Sequence, residues 1–194
     1  MDNIEYSEKE IAIFNGLVAL IKEGANPYSI KVSDIANAAK IGKGTIYDYF
    51  KSKEEAISKA IIYNINREII KAFKKIDAKE TFKEKFYEIL NIIANNLDNN
   101  LCTLKLLLFS GGIQEFYKYL VDDKDFILKS LAFIDRGIDD FLELGFNEGV
   151  INFQDNQDYQ RMAIYGAISG FSHYINRQEL NQDLDIKSAM DTAY

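Results

Sequence analysis

Apolar side chains recur along this chain at three- and four-residue spacing, the period of helices that each bury one face. Ile11, Phe14, Val18 and Ile21 mark a first helix over residues 7–23, which should stop near Gly24, with Asn26-Pro27 as a turn. Two short patterns come next. The first presents Ile35, Ala36 and Ala39 on one face, and the second presents Ile46 and Phe50, four apart, to the same core. Ser33 or Asp34 can cap the first of these helices, and the second should run from about Lys43 to Tyr49. Ser52 and Glu55 have capping-box spacing, which predicts a long helix with Ile57, Ile61, Ile65, Ile69 and Phe73 on one face, ending near Asp77.

Beyond residue 79 only helical patterns appear. One covers 79–97 with Phe82, Phe86, Ile89, Leu90 and Ile93 inward, and another covers 101–109 and ends at Gly111-Gly112. A short piece holds Phe116, Tyr117 and Leu120, and a longer one over 124–144 holds Phe126, Ile127, Phe133, Ile134 and Phe141. A loop is expected from Gly145 to Ile151, then a helix over 157–177 and a last amphipathic piece from Leu184 to Met190. The predicted fold is all-α: a three-helix helix-turn-helix module over residues 1–53, and a larger helical ligand-binding and dimerisation domain over 54–194.

The break between the two short helices carries the functional signal. Gly42 should take the unusual backbone angles of the turn, and Gly44 leaves the start of the second helix open to something large, which would be a DNA backbone. The first turn of that second helix points into a major groove in this motif, so Lys43, Gly44 and Thr45 are candidates for base-edge or phosphate contacts. Asp34-Ile35-Ala36, Ala39, Lys43-Gly44-Thr45-Ile46-Tyr47, Tyr49-Phe50 and Lys51-Ser52-Lys53-Glu54 together resemble the signature of the TetR-type transcriptional regulators. That resemblance covers the first quarter of the chain. It implies that Tyr47 and Lys51 hold phosphates and that Tyr49 meets a phosphate or a base, although the residues alone also allow both tyrosines to be core aromatics. Lys31 stands where the family more often has Thr or Ser, and a lysine there reaches a phosphate by charge.

Net charge is −7, which looks wrong for a DNA binder until it is divided. Residues 31–79 carry eleven basic and six acidic side chains, whereas residues 80–194 carry ten and nineteen. A local positive excess at the motif suits phosphates, whose condensed counterions each bound lysine releases; Lys71, Lys74 and Lys75 fit a solvated helix face better.

Composition narrows the rest. Apolar residues make up 47% of the chain, enough for a core without staples, and a single cysteine, Cys102, excludes an internal disulfide and fits a reducing cytoplasm. The first ten residues are acidic and polar, unlike a signal peptide, and apolar runs such as Leu104 to Phe109 are too short to span a bilayer, so a cytoplasmic protein without a membrane partner is expected. His173 is the only histidine, so neither a zinc site nor Cys–His catalysis is in view. Gly42-Lys43-Gly44-Thr45 lacks the glycine-rich loop and strand of a phosphate cradle, and the adjacent acids Asp122-Asp123 and Asp139-Asp140 diverge on a helix. No enzymatic activity and no cofactor are expected.

In the C-terminal part, Ala163, Gly166, Ala167 and Gly170 form a small-residue stripe, with His173 beyond it. Such a stripe packs another backbone closely, either inside one subunit or, with the last helix, in a four-helix interface with a two-fold copy. The resemblance implies the homodimer. Phe86, Leu90, Leu108, Tyr117, Phe133, Arg136 and Tyr165 are candidates to line a cavity for a small apolar or aromatic effector. Arg136 could meet an anionic head group or form an ion pair. The resulting reading is a homodimeric repressor on a near-palindromic DNA operator, released by a small-molecule effector; the alternative is an architectural or chromosome-organising dimer without one.

Overall fold

A computed structural model of the chain describes residues 5–26, 29–95, 124–152, 156–175, 177 and 185–194. These form eight α-helices: α1 (Glu8–Lys22), α2 (Val32–Ala39), α3 (Lys43–Tyr49), α4 (Lys53–Asp77), α5 (Phe82–Ala94), α6 (Lys124–Asn147), α7 (Gln157–Ile175) and α8 (Ile186–Ala193). The helices expected over 101–109 and around Phe116, with Cys102, Leu108 and Tyr117, lie outside the described residues.

Local chemistry sets most of the boundaries. Ser7 Oγ accepts the Glu10 N–H at 3.3 Å and the Glu10 carboxylate accepts the Ser7 N–H at 2.8 Å, which closes a capping box on α1. Gly24, at φ +95°, takes the chain out of α1. Neither Ser33 nor Asp34 is the N-cap of α2. Lys31 holds that position, and because a lysine side chain accepts nothing, only the reverse half of the box forms: the Asp34 carboxylate accepts the Lys31 N–H at 3.1 Å.

The turn between α2 and α3 also differs from expectation. Gly42 is extended, with φ −71° and ψ 148°, and serves as the N-cap of α3. The left-handed residue is Lys40, at φ 56°, the one non-glycine with positive φ among the described residues. Its N–H meets the Asn37 carbonyl at 3.1 Å and the Ile41 N–H returns to the Ala36 carbonyl at 2.9 Å, the reversed bonding that ends many helices. Such a conformation costs an L-residue roughly 1–2 kcal/mol.

The long helix begins and ends where its pattern predicts, at Lys53 and Asp77. Ser52 Oγ accepts the Glu55 N–H at 3.1 Å, while the Glu55 carboxylate reaches one residue further back, to the Lys51 N–H at 2.7 Å. α5 starts later than its periodicity suggests because Thr81 and Glu84 form its capping box. The Glu148 carboxylate adds a second acceptor, 3.1 Å from the Phe82 N–H. The loop predicted to open at Gly145 does not begin there, because Gly145 lies inside the last turns of α6; the helix ends instead near Gly149, φ 69°.

α1 packs on α2 and α4, α4 continues onto α5, and α5 touches α6, α7 and α8. At the first crossing a Cβ on Gly16 would stand 2.9 Å from the Ala39 nitrogen, so only glycine lets the helices approach this far. One continuous core runs from Ile13, Phe14, Leu17, Ile35, Ile46 and Phe50 through the α4 isoleucines to Phe86, Leu90, Ile168 and Phe171. Between α6 and α7, Arg161 donates to both oxygens of Asp139 at 2.7 and 2.6 Å, and the Tyr165 hydroxyl donates to Asp135 at 2.6 Å. Asp139 thus faces α7 while Asp140 lines a groove elsewhere on α6, so the two acids diverge as their adjacency predicts.

Candidate nucleic-acid interface and helical body

The packing of α2 and α3 decides what they can offer a partner. Ile35, Ala36, Ala39, Ile46 and Phe50 are buried against α1 and α4, and this fixes the opposite face outward. On or beside that face Lys31, Lys43, Gly44 and Lys51 are exposed, Thr45 is half-buried, and Tyr47 and Tyr49 are 57% and 38% exposed. Neither tyrosine is a core aromatic of this chain. A Cβ on Gly44 would meet nothing within 4 Å, so the start of α3 is open.

Charge follows the same division. Lys22 pairs with Glu68 at 3.7 Å and Lys53 with Glu54 at 3.8 Å, whereas Lys31, Lys40, Lys43 and Lys51 have no ion-pair partner among the described residues. Lys40 is the member of this set that the sequence pattern did not single out. Its position between two helical patterns, at a helix end where glycine is usual, was the available signal.

α4 is fastened to the module along its length rather than only at its start. Tyr63 packs on Phe14 with ring centroids 5.3 Å apart, and the Arg67 guanidinium sits 5.5 Å from the centre of the Tyr63 ring. Arg67 Nη1 also donates to Asn15 Oδ1 at 3.1 Å. These contacts tie the middle of α4 to α1.

The pocket candidates separate into three environments. Phe86 and Leu90 are core residues, 2% and 0% exposed, and Phe86 stacks on Phe82 and Phe141. Phe133 and Arg136 line an open groove of about 430 Å³ between α4, α5 and α6, together with Phe73, Lys85, Asp140 and Phe141. Lys85 is engaged by the Ile76 carbonyl at 3.1 Å and by Asp77 at 3.7 Å, and Arg136 Nε donates to the Ala132 carbonyl of its own helix at 3.3 Å. Tyr165 lies on the α6–α7 contact, where burial and then its bond to Asp135 push the phenol above its ordinary value.

On α7, Ala163, Gly166, Gly170 and His173 are exposed and Ala167 is half-buried. A Cβ at 166 or 170 would meet nothing within 4 Å, and the neighbouring Tyr159, Met162 and Tyr174 are 64%, 66% and 44% exposed. With α8 this face forms a groove of about 480 Å³ whose walls include Phe171, Ala189 and Ala193. Among the described residues no group of His, Cys, Asp and Glu is arranged to hold a metal ion, and no helix is long and apolar enough to cross a membrane.

Among the described residues every element is a helix, and a helix-turn-helix turned outward from a helical body defines the fold class. Residues 24–63 match the profile of the bacterial regulatory proteins, tetR family, so the module is a TetR-type helix-turn-helix. The likeness to solved structures extends well beyond the module. The fatty acid degradation regulator FadR of Bacillus halodurans superposes with a TM-score of 0.65 at 19% identity, covering 98% of this chain and 94% of that one. FadR of Bacillus subtilis, in complex with stearoyl-CoA, gives 0.59 at 23% identity, covering 94% of each chain. A TetR family protein of Vibrio parahaemolyticus gives 0.65 at 20% identity, covering 96% of each. The curated proteins include no match to the sequence.

Proposed function

We propose that the chain is a ligand-responsive transcriptional repressor that binds a near-palindromic operator as a homodimer. The observation that carries this reading is the outward face of α2 and α3, where four exposed lysines without an ion-pair partner among the described residues and two exposed tyrosines accompany an unobstructed helix start. Residues 1–53 read DNA in this proposal, and residues 54–194 supply dimerisation and effector binding. Lys43, Gly44 and Thr45 enter the major groove, while Lys31, Tyr47, Tyr49 and Lys51 hold the backbone that flanks it. Two copies pair through the exposed small face of α7, with α8 beside it, and place their recognition helices about one helical turn of DNA apart, roughly 34–36 Å.

The effector acts by differential affinity. A ligand in the body releases DNA only if it binds better to a dimer whose recognition helices no longer match that spacing. The fastening of α4 to α1 through Tyr63 and Arg67 supports this route, because it transmits a shift of α4 to the reading head. The groove beside Phe133 and Arg136 is the effector site the described residues support best, with an apolar wall and a cation at its edge. The complex of Bacillus subtilis FadR makes stearoyl-CoA the first probe to add.

Fluorescence anisotropy of the full chain against DNA from upstream of its own gene, with a scrambled duplex as control and salt varied, tests the reading. Nanomolar, salt-sensitive binding that prefers the upstream duplex is the expected result. Equal, weak binding to both duplexes, followed by failure to enrich any sequence from a random pool, would overturn it.

A further inference from the structure

We infer that Lys40 is a phosphate anchor of the helix-turn-helix, placed by the left-handed turn that ends α2. The inference rests on the DNA-reading assignment and adds a contact to it. The turn must reverse at residue 40: the Ile41 N–H returns to the Ala36 carbonyl at 2.9 Å, and this brings the half-buried Ile41 back onto the core before Gly42 starts α3. Whatever residue stands at 40 has to adopt φ near 56°. Glycine does so without strain and is the usual occupant of such a helix end, with asparagine next. A lysine in this place is disfavoured by its backbone and contributes nothing to the core, since its side chain is exposed. It also forms no ion pair among the described residues, unlike Lys22 and Lys53 of the same module.

What the side chain does have is position. Lys40 and Lys43 flank the turn that leads into α3, both exposed and both without an ion-pair partner among the described residues. A long flexible cation there can reach the duplex backbone beside the groove that α3 enters, as a point charge that needs no fixed geometry. Its charge also suits the C-terminal end of the α2 dipole, a purely intramolecular role that would leave DNA affinity unchanged on its removal.

The test is Lys40→Gly in the full-length protein, with Lys40→Arg as the conservative control, measured on a duplex selected by the wild-type chain and on its scrambled version. Lys40→Gly relieves the turn, so its melting temperature should not fall. Its DNA affinity should drop several-fold by the same factor on both duplexes, with the log–log salt slope shallower by about 0.9 per module. Lys40→Arg should restore affinity and slope. If Lys40→Gly binds with wild-type affinity and slope, Lys40 serves only the end of α2 and the anchor is refuted. A wild-type chain that selects no duplex overturns the DNA-reading assignment itself, and this role with it.

Discussion

Gly145 of α6 is packed against the ring of Phe82 on α5 so closely that a Cβ at 145 would stand 2.6 Å from Cδ2 and 3.1 Å from Cγ. The ring has nowhere to retreat. It stacks on Phe141 at 4.2 Å between centroids and lies beside Phe86 and Tyr194, and its own backbone N–H is held by Glu148 from the end of α6. Gly145→Ala adds helix propensity of about 1 kcal/mol but forces this stack apart. Overpacking of that kind costs typically about 1–3 kcal/mol, so a lower urea midpoint with an unchanged slope is expected. A midpoint at or above that of the wild type would show that α5 and α6 are not this close.

Gly44 tests the opposite situation. It lies in the first turn of α3, is exposed, and has open space where a Cβ would go. Gly44→Ala should therefore raise stability by up to about 1 kcal/mol, the ordinary gain of replacing a helical glycine. On the proposed surface the added methyl meets the duplex, so DNA affinity should fall while stability rises. Thermal melts and anisotropy on the same preparation give both readings, and a rise in both would move the DNA contact away from the start of α3.

These two glycines differ in how far the sequence alone reveals their setting. Local signals sufficed for α3 and α4, because Ile46 and Phe50 are held by the core and Ser52 caps the long helix after them. Gly145 misled because a glycine near a helix end usually signals a loop. Here the helix closes at Gly149, with the Val150 N–H returning to the Gly145 carbonyl, and residue 145 is small because the Phe82 ring, distant in sequence, packs against it. The same habit assigns the left-handed turn to Gly42 instead of Lys40. Candidate pocket residues were the least legible. Helical spacing gives Phe86 and Phe133 the same inward label, yet one is enclosed in a ring stack and the other borders an open groove.

Tyr165 should leave a signature in alkaline solution. Burial, and then its bond to Asp135, hold the phenol protonated in the folded chain above the ordinary value of 10.0. The unfolded chain releases that proton first, so the contribution of Tyr165 to stability is complete below about pH 10 and declines as pH rises beyond it. Tyr165→Phe removes this decline. Its stability-versus-pH curve should be flatter than that of the wild type above about pH 10, and the phenolate absorbance titration should lose a component that titrates above the ordinary range. Identical curves for the two proteins would mean that the hydroxyl is not held between α6 and α7.

The exposed stripe on α7 separates folding of one protomer from assembly of two. Gly170 has no neighbour within 4 Å of its Cβ position, so a larger side chain is accommodated by the single chain. In the proposed dimer the same position is where a second α7 backbone comes close, and small-residue faces tolerate no bulk at such crossings. Gly170→Leu should keep the helical spectrum yet shift sedimentation from dimer to monomer. It should also weaken binding to a two-half-site duplex far more than to a single half-site, because only the paired protein gains from the second site. Should the variant sediment as a dimer with wild-type affinity, the two-fold contact lies on another face, and the exposure of Tyr159 and Met162 would then need a different partner.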